Sequence, residues 1–184
     1  MLETINICIL GDGSVGKSSV TLRFTNDKFY ENTIPTILNR ITFNKLIDNK
    51  EVKFHVNDTS GQEEYELVRD IYIGRCDAFV LIYSITCMNS LSQLKIIMDS
   101  IIRIKNDDDI SIILVGNKCD LEDERVVNRK TAKKLAYNWN CKFYETSVKN
   151  NTNINEVFTE LIKDFLLKKI SKDKKKDKKN KKKM

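Results

Sequence analysis

Two runs of this chain, AFVLIYS at 78–84 and SIILVG at 111–116, are apolar at almost every position. A strand with one wet face alternates apolar and polar residues. A short run without alternation reads as a strand covered on both faces. Helices must then lie on both sides of the sheet, and the chain supplies them. Helical patterns fall at about 17–26, 64–74, 89–105, 131–139 and 154–169. They alternate with strand-like stretches at 4–10, 38–47, 51–57, 78–84, 111–116 and 142–146. In the last helix Ile154, Val157, Phe158, Leu161, Ile162, Phe165 and Leu166 recur at i, i+3, i+4 spacing. Thr152 or Asn153 suits its start. Asp48-Asn49-Lys50 suits a hairpin between the second and third strands. The pattern predicts one α/β domain over about 1–167. It has six strands in a mostly parallel sheet, one antiparallel edge strand and five helices, in three layers.

Length agrees, since 184 residues is about one domain. The net charge of +6 first suggests a nucleic-acid or membrane-surface partner. Its location changes that reading. Residues 168–184 hold eleven lysines against two aspartates, net +9, which leaves 21 basic and 24 acidic groups, net −3, in the rest. The basic character belongs to the tail, expected to be disordered. No apolar run approaches the ~20 residues of a membrane span. The N-terminal stretch lacks the pattern of a signal peptide, and Leu2 excludes N-myristoylation. No cysteine follows Cys141, so no prenyl or palmitoyl anchor is expected. Cys8, Cys76, Cys87, Cys119 and Cys141 are odd in number and scattered, which suits a reducing, cytoplasmic setting.

In open α/β sheets ligands sit outside the carboxyl ends of the strands, so the segments that follow strands carry the chemistry. After the first strand stands Gly11-Asp12-Gly13-Ser14-Val15-Gly16-Lys17-Ser18, a match to G-x-x-x-x-G-K-[ST]. Glycines let backbone N–H groups converge on phosphate oxygens, and the helix that follows adds its dipole. Lys17 would reach the β/γ-phosphates and Ser18 would ligate Mg2+. After the third strand comes Asp58-Thr59-Ser60-Gly61-Gln62. There Asp58 would hold the metal through water, Gly61 would offer an N–H to a γ-phosphate, and Gln62 would orient an attacking water. Asn117-Lys118-Cys119-Asp120 follows the fifth strand. A carboxylate accepts two hydrogen bonds only from a base edge with two adjacent donors. Guanine has them and adenine does not, so Asp120 selects guanine. Lys118 would lie along the base plane and Asn117 would tie loops together. Glu145-Thr146-Ser147-Val148-Lys149 would close the pocket with backbone N–H groups, through Ser147, Val148 and Lys149.

With these four motifs in this order, residues 3–168 resemble the Ras superfamily of small GTPases. The stretches GQEEYELVRDIYI (61–73), YSIT (83–86) and LVGNKCDLEDERVV (114–127) look most like its Ras and Rap branch. The resemblance implies a P-loop small G domain that binds GDP or GTP with Mg2+ and hydrolyses GTP slowly. It implies a monomeric signalling switch met by effectors, an activating protein and an exchange factor. It adds Ser19 to the phosphate-binding run, Phe29 as an aromatic against the guanine edge, and Thr36 as a metal ligand in the GTP state. Gly13 is where the family lets an arginine from an activating protein pass. Five positions depart from the pattern. Leu38 and Asn39 stand where an acidic effector-reading pair is usual, Thr33 replaces a tyrosine, Ser60 replaces an alanine beside the γ-phosphate, and Val148 replaces an alanine in the base loop. Ser60, Thr33 and the altered effector-loop pair support a second reading, a hydrolysis-impaired GTP-binding scaffold.

His55 reads as a strand-surface residue, Trp139 as a packing residue at a helix end, and Cys119 as an incidental thiol beside the base loop. The lysine tail has three readings: a solvated segment, an attraction to anionic membrane, and nuclear import or nucleic-acid contact, of which the last is the least favoured.

Overall fold

In the computed structural model the described residues are 3–26, 38–47, 50–59, 66–107 and 109–181. They form β1 (Glu3–Leu10), α1 (Lys17–Asn26), β2 (Leu38–Ile47), β3 (Lys50–Thr59), α2 (Glu66–Arg75), β4 (Ala78–Ser84), α3 (Met88–Lys105), β5 (Ser111–Asn117), α4 (Arg129–Asn138), β6 (Lys142–Thr146) and α5 (Ile154–Lys181). The single six-stranded sheet has the order β2-β3-β1-β4-β5-β6. Only the β2–β3 pair is antiparallel, with Leu38 opposite Thr59 and Ile47 opposite Lys50. The expected architecture is therefore present, antiparallel edge strand included.

The alternation of side chains along each buried strand divides the core in two. Ile5, Ile7 and Ile9 of β1, Val80 and Ile82 of β4, and Ile113 and Val115 of β5 face the layer of α1 and α5. Cys8 and Leu10, Phe79, Leu81 and Tyr83, and Ile112 and Leu114 face α2, α3 and α4. This is why β4 and β5 show no apolar–polar alternation, with polar residues at their ends alone: all seven residues of each are buried. In α1, Val20 and Phe24, one turn apart, point to the sheet, and Phe24 stacks on Phe158 of α5 with ring centroids 3.9 Å apart. The buried residues of α4 are Ala132 and Ala136, small enough to let that helix lie close to the sheet. Trp139, at its end, packs against the same layer, and His55 stays at the strand surface, bonded to Thr42 Oγ1 at 2.8 Å. Among the described residues no helix is long and apolar enough to cross a membrane.

The strand order sets the site. From β1 the chain adds β3 on one side and then β4 on the other, so the crevice at the carboxyl end of β1 is flanked by both. In doubly wound sheets this reversal point is where ligands bind.

One expectation needs correction. The last helix does not end near 169, and a disordered segment does not begin at 168: α5 continues to Lys181. The physical reason is that the costly nucleation of a helix is already complete in the buried part, from Ile154 to Ile162, so each further residue only propagates it. Lysine is a good helix former. Local pairing helps: Lys168 Nζ lies 2.8 Å from Asp164 and 3.5 Å from Asp109, and Lys172 Nζ lies 2.6 Å from Asp107. Such exposed pairs contribute only about 0–1 kcal/mol each, so they pin the extension rather than create it. The hydrogen bond from Lys172 holds the Asp107 carboxyl below its ordinary range. A carboxylate depressed on folding adds stability that is present above the ordinary range and lost as pH falls through the lowered value. Acidification below about pH 4 should therefore loosen this contact. Hydrogen exchange, referred to the intrinsic rate at each pH, should show lower protection of the amides at 168–174 in acid, and Asp107→Asn should reproduce it at neutral pH.

Candidate functional site

The loop between β1 and α1 is shaped by two glycines. Gly11 has φ +154° and Gly16 has φ +93°. A Cβ on Gly11 would stand 2.1 Å from the Ile82 carbonyl oxygen, and one on Gly16 would stand 2.5 Å from Asn117 Nδ2. Any side chain there would force the loop off β4 and off β5. Gly13 differs, because a Cβ there meets nothing within 4 Å. It faces open space, and its amide donates to Asp12 Oδ1 at 2.7 Å. Ser14 takes a left-handed turn with φ 58°. Val15, 1% exposed, anchors the loop in the core beside Val148.

Lys17 opens α1 and is only 6% exposed. Its ammonium group reaches back over the loop and donates to the Asp12 carbonyl at 2.7 Å. A buried cation held by a backbone carbonyl sits where an anionic ligand is favoured, at a helix N-terminus. Ser18 and Ser19 are half-buried on the first turn of α1. Asp58 is the last residue but one of β3, in register with Ile9 of β1. The parallel pairing of β1 and β3 thus brings the backbone of Asp58 beside the strand that leads into the Gly11–Ser18 segment. Phe29, Thr36, Gly61 and Gln62 lie outside the described residues, as do Thr33 and Ser60.

The residues expected to read the base are arranged around Asn117, the last residue of β5 and 1% exposed. Its Nδ2 donates to the Val15 carbonyl at 2.9 Å, and its Oδ1 accepts from Thr146 Oγ1 at 3.0 Å. One side chain therefore joins the phosphate loop, the base-reading loop and the end of β6. Lys118 follows with φ 67°, and its carbonyl accepts from Leu121 N at 2.9 Å, closing a turn. That turn leaves Asp120 half-buried, with Oδ1 accepting from Ser147 Oγ at 2.6 Å. Ser147 Oγ also accepts from Asn150 N at 3.0 Å. The carboxylate is thereby fixed in orientation before any ligand arrives. The Val148 side chain is in the core, 6% exposed, and Lys149 is exposed. Cys119 N donates to the Thr146 carbonyl at 3.0 Å, a second link between the same loops. Burial raises the Cys119 thiol above its ordinary range, as do the Glu145 and Asp120 carboxylates. A thiol so raised is a poor nucleophile, which agrees with an incidental role.

The family model for the Ras family matches residues 6–167. This chain belongs to the Ras family. As a Ras-family small GTPase it binds guanine nucleotides and hydrolyses GTP. Proteins of the Ras family act through effectors, activating proteins and exchange factors. The match stops at 167 and leaves the lysine-rich end of α5 outside it.

Support for this Ras-family site comes from residues with no motif signal. Glu145, nearly buried, accepts two hydrogen bonds from Arg125, at 2.8 and 3.2 Å, and Arg125 also binds Glu122. These bonds, with Glu122 first, hold the Arg125 guanidinium even more firmly in its charged form. Asn153 Nδ2 donates to the Glu145 carbonyl at 2.7 Å. The segment 122–125 and the start of α5 are thus fastened to the base loop from behind. Thr146 and Ser147 stood in the sequence only as bearers of backbone N–H groups; their hydroxyls hold Asn117 and Asp120.

Two substitutions test this geometry. Asp120→Asn replaces an acceptor by a donor facing guanine, which should cost about 3–4 kcal/mol, or roughly 10²- to 10³-fold in GDP affinity. Xanthosine diphosphate, which presents an acceptor there, should gain. Titration with fluorescent nucleotides measures both, and retained guanine preference would remove Asp120 from its role. Asn117→Ala should speed nucleotide release without changing base preference.

Proposed function

We propose that this Ras-family protein is a GDP/GTP switch in signal transduction that works with Mg2+, hydrolyses GTP slowly by itself and looks most like the Ras and Rap branch. The observation that supports this reading best is the Asn117 bridge. It couples the segment that would bind phosphates to the segment that would read the base, so the two halves of one nucleotide are recognised as a unit.

The donors fit the metal. Ser18, Asp58 and, by resemblance, Thr36 are hard oxygen ligands, and Mg2+ is commonly held by one carboxylate together with substrate phosphates. Bound there, Mg2+ would offset negative charge on the β- and γ-phosphates. The rest is the work of the chain itself. Lys17 lies across the loop with its charge already buried, so it needs little reorganisation to meet a phosphate. The amide of Gly61 would donate to the γ-phosphate. Gln62 would hold the attacking water in line. The open space at Gly13 leaves room for an arginine supplied by an activating protein, and until that arrives the rate is low.

Gln62→Leu should leave nucleotide affinity unchanged and reduce activator-stimulated hydrolysis by roughly 10²-fold. Multiple-turnover phosphate release measures it, and an unchanged rate would remove Gln62 from its role. The second reading, a scaffold that hardly hydrolyses, rests on Ser60, Thr33 and the Leu38-Asn39 pair. Restored single-turnover hydrolysis in Ser60→Ala would favour it, and an ordinary slow rate in the unaltered chain would exclude it.

The division at 167/168 separates the G domain from a basic helical extension whose partner is an anionic, cytoplasmic membrane surface. Leu167 and Ile170, one turn apart, are 67% and 50% exposed at its root, so apolar contact adds to charge. Binding of the full chain to vesicles with anionic lipid should fall steeply between low and physiological salt and vanish on deletion of 168–184. Binding unaffected by both changes would exclude this partner. Salt-dependent binding to RNA but not to vesicles would favour nucleic acid instead.

A further inference from the structure

The α2/α3 face of the sheet holds two cysteines in contact. Cys8 on β1 is in register with Asn57 on β3 and with Phe79 on β4. Cys76 directly follows the last residue of α2. Its sulfur lies over the Cys8–Asn57 pair. Asn57 Nδ2 donates to Cys76 Sγ at 3.2 Å, and the Cys8 thiol is hydrogen-bonded to the same sulfur. The two thiols are 0% and 1% exposed and share one core cluster. Both are free.

We propose that Cys8 and Cys76 are a reversible dithiol–disulfide site, at which a hydroperoxide closes a covalent bond between β1 and the end of α2.

A thiol buried among apolar groups is inert. Cys76 is buried differently. Hydrogen bonds from Cys8 and Asn57 and the positive charge of Lys105 favour its thiolate, and they hold it below the ordinary thiol range against burial and the charge of Asp77. Lys105 is fixed near this place, because its ammonium donates to the Gly74 carbonyl at 3.0 Å, two residues before Cys76. By contrast burial pushes Cys141 up to about 11. Access comes from the amino-terminal edge of the sheet, opposite the nucleotide crevice. A cavity of about 380 Å³ there is lined by Cys76 together with Asp77, Lys105, Ser111 and Lys168. Its walls mix polar groups with Ile110 and Phe165, and its volume is enough for a small hydroperoxide.

The chemistry balances in two steps. The Cys76 thiolate attacks the terminal peroxide oxygen; the O–O bond breaks, and Cys76 becomes a sulfenic acid while the departing alkoxide or hydroxide takes a proton. The Cys8 sulfur then attacks the Cys76 sulfur, the S–O bond breaks, and the hydroxyl leaves as water with the proton of Cys8. Two thiols lose two electrons and two protons, and one hydroperoxide is reduced to an alcohol or water, with a further water released. A dithiol reductant reverses the change. The bond would span the segment from Cys8 to Cys76, which includes the phosphate loop, α1, β3 and α2, and would fix the end of α2 on the central strand.

The test uses the full GDP-loaded chain carrying Cys87→Ser, because trypsin leaves Cys76 and Cys87 in one peptide. The protein is treated with hydrogen peroxide, denatured, alkylated and digested. The expected result is peptide 1–17 joined to peptide 76–95, with both cysteines lost to alkylation together and recovered after dithiothreitol. Full alkylation of both, or oxidation of Cys76 without joining to Cys8, overturns the proposal. In the Cys8→Ser variant, which keeps a hydrogen-bond donor beside the Cys76 sulfur, dimedone should capture Cys76 as the sulfenic acid. If that variant binds nucleotide and Cys76 stays fully reduced, Cys76 is not the attacking thiol and the proposal fails. If it does not fold, the joined peptide of the parent chain decides alone.

Discussion

The Asn117 side chain is the constraint on which the site depends. It ends β5, is almost wholly buried, and spends its amide on the Val15 carbonyl and its oxygen on the Thr146 hydroxyl. A buried amide left without partners costs about 1–3 kcal/mol, so both loops are held to it by more than their own conformational preference. Gly16 is the other half of the arrangement, since only a residue without Cβ leaves room for that amide. The loop proposed to cradle phosphates and the loop proposed to read the base are thus parts of one hydrogen-bonded unit. Disturbance at either end is felt at the other.

Much of the fold was legible because its determinants are local. The buried strands announce themselves through unbroken apolar runs at 78–84 and 111–116, and α1 and β2 begin and end at the expected residues. The phosphate loop was legible for the same reason, since its glycines and Lys17 are adjacent in the chain. What no local pattern carries is the pairing across the sheet. Asn117 and Val15 are 102 positions apart, Thr146 and Asn117 are 29 apart, and Ser147 and Asp120 are 27 apart. Their types are common in turns, and nothing in their neighbourhood marks a partner. The Arg125–Glu145 pair is hidden in the same way. Phe29, Thr36, Gly61 and Gln62 remain sequence assignments, outside the described residues.

The error at α5 has a different origin. High charge and little apolar content are read as disorder because an isolated segment of that kind cannot nucleate a helix. Here it is not isolated. Its first turns are seated on β4 and β5 through Val157, Phe158 and Leu161, and the lysines extend a helix already made. Asp107 and Asp109 add a neutralising counterpart to Lys172 and Lys168 at the point of departure.

A helix rises 1.5 Å per residue, so the part of α5 beyond 167 reaches about 20 Å past the end of the family match. A flexible tether of similar length would let the globular part tumble freely about its attachment. A rod rooted in the core transmits torque instead. Whatever grips its far end therefore dictates which side of the protein faces outward, and at what height.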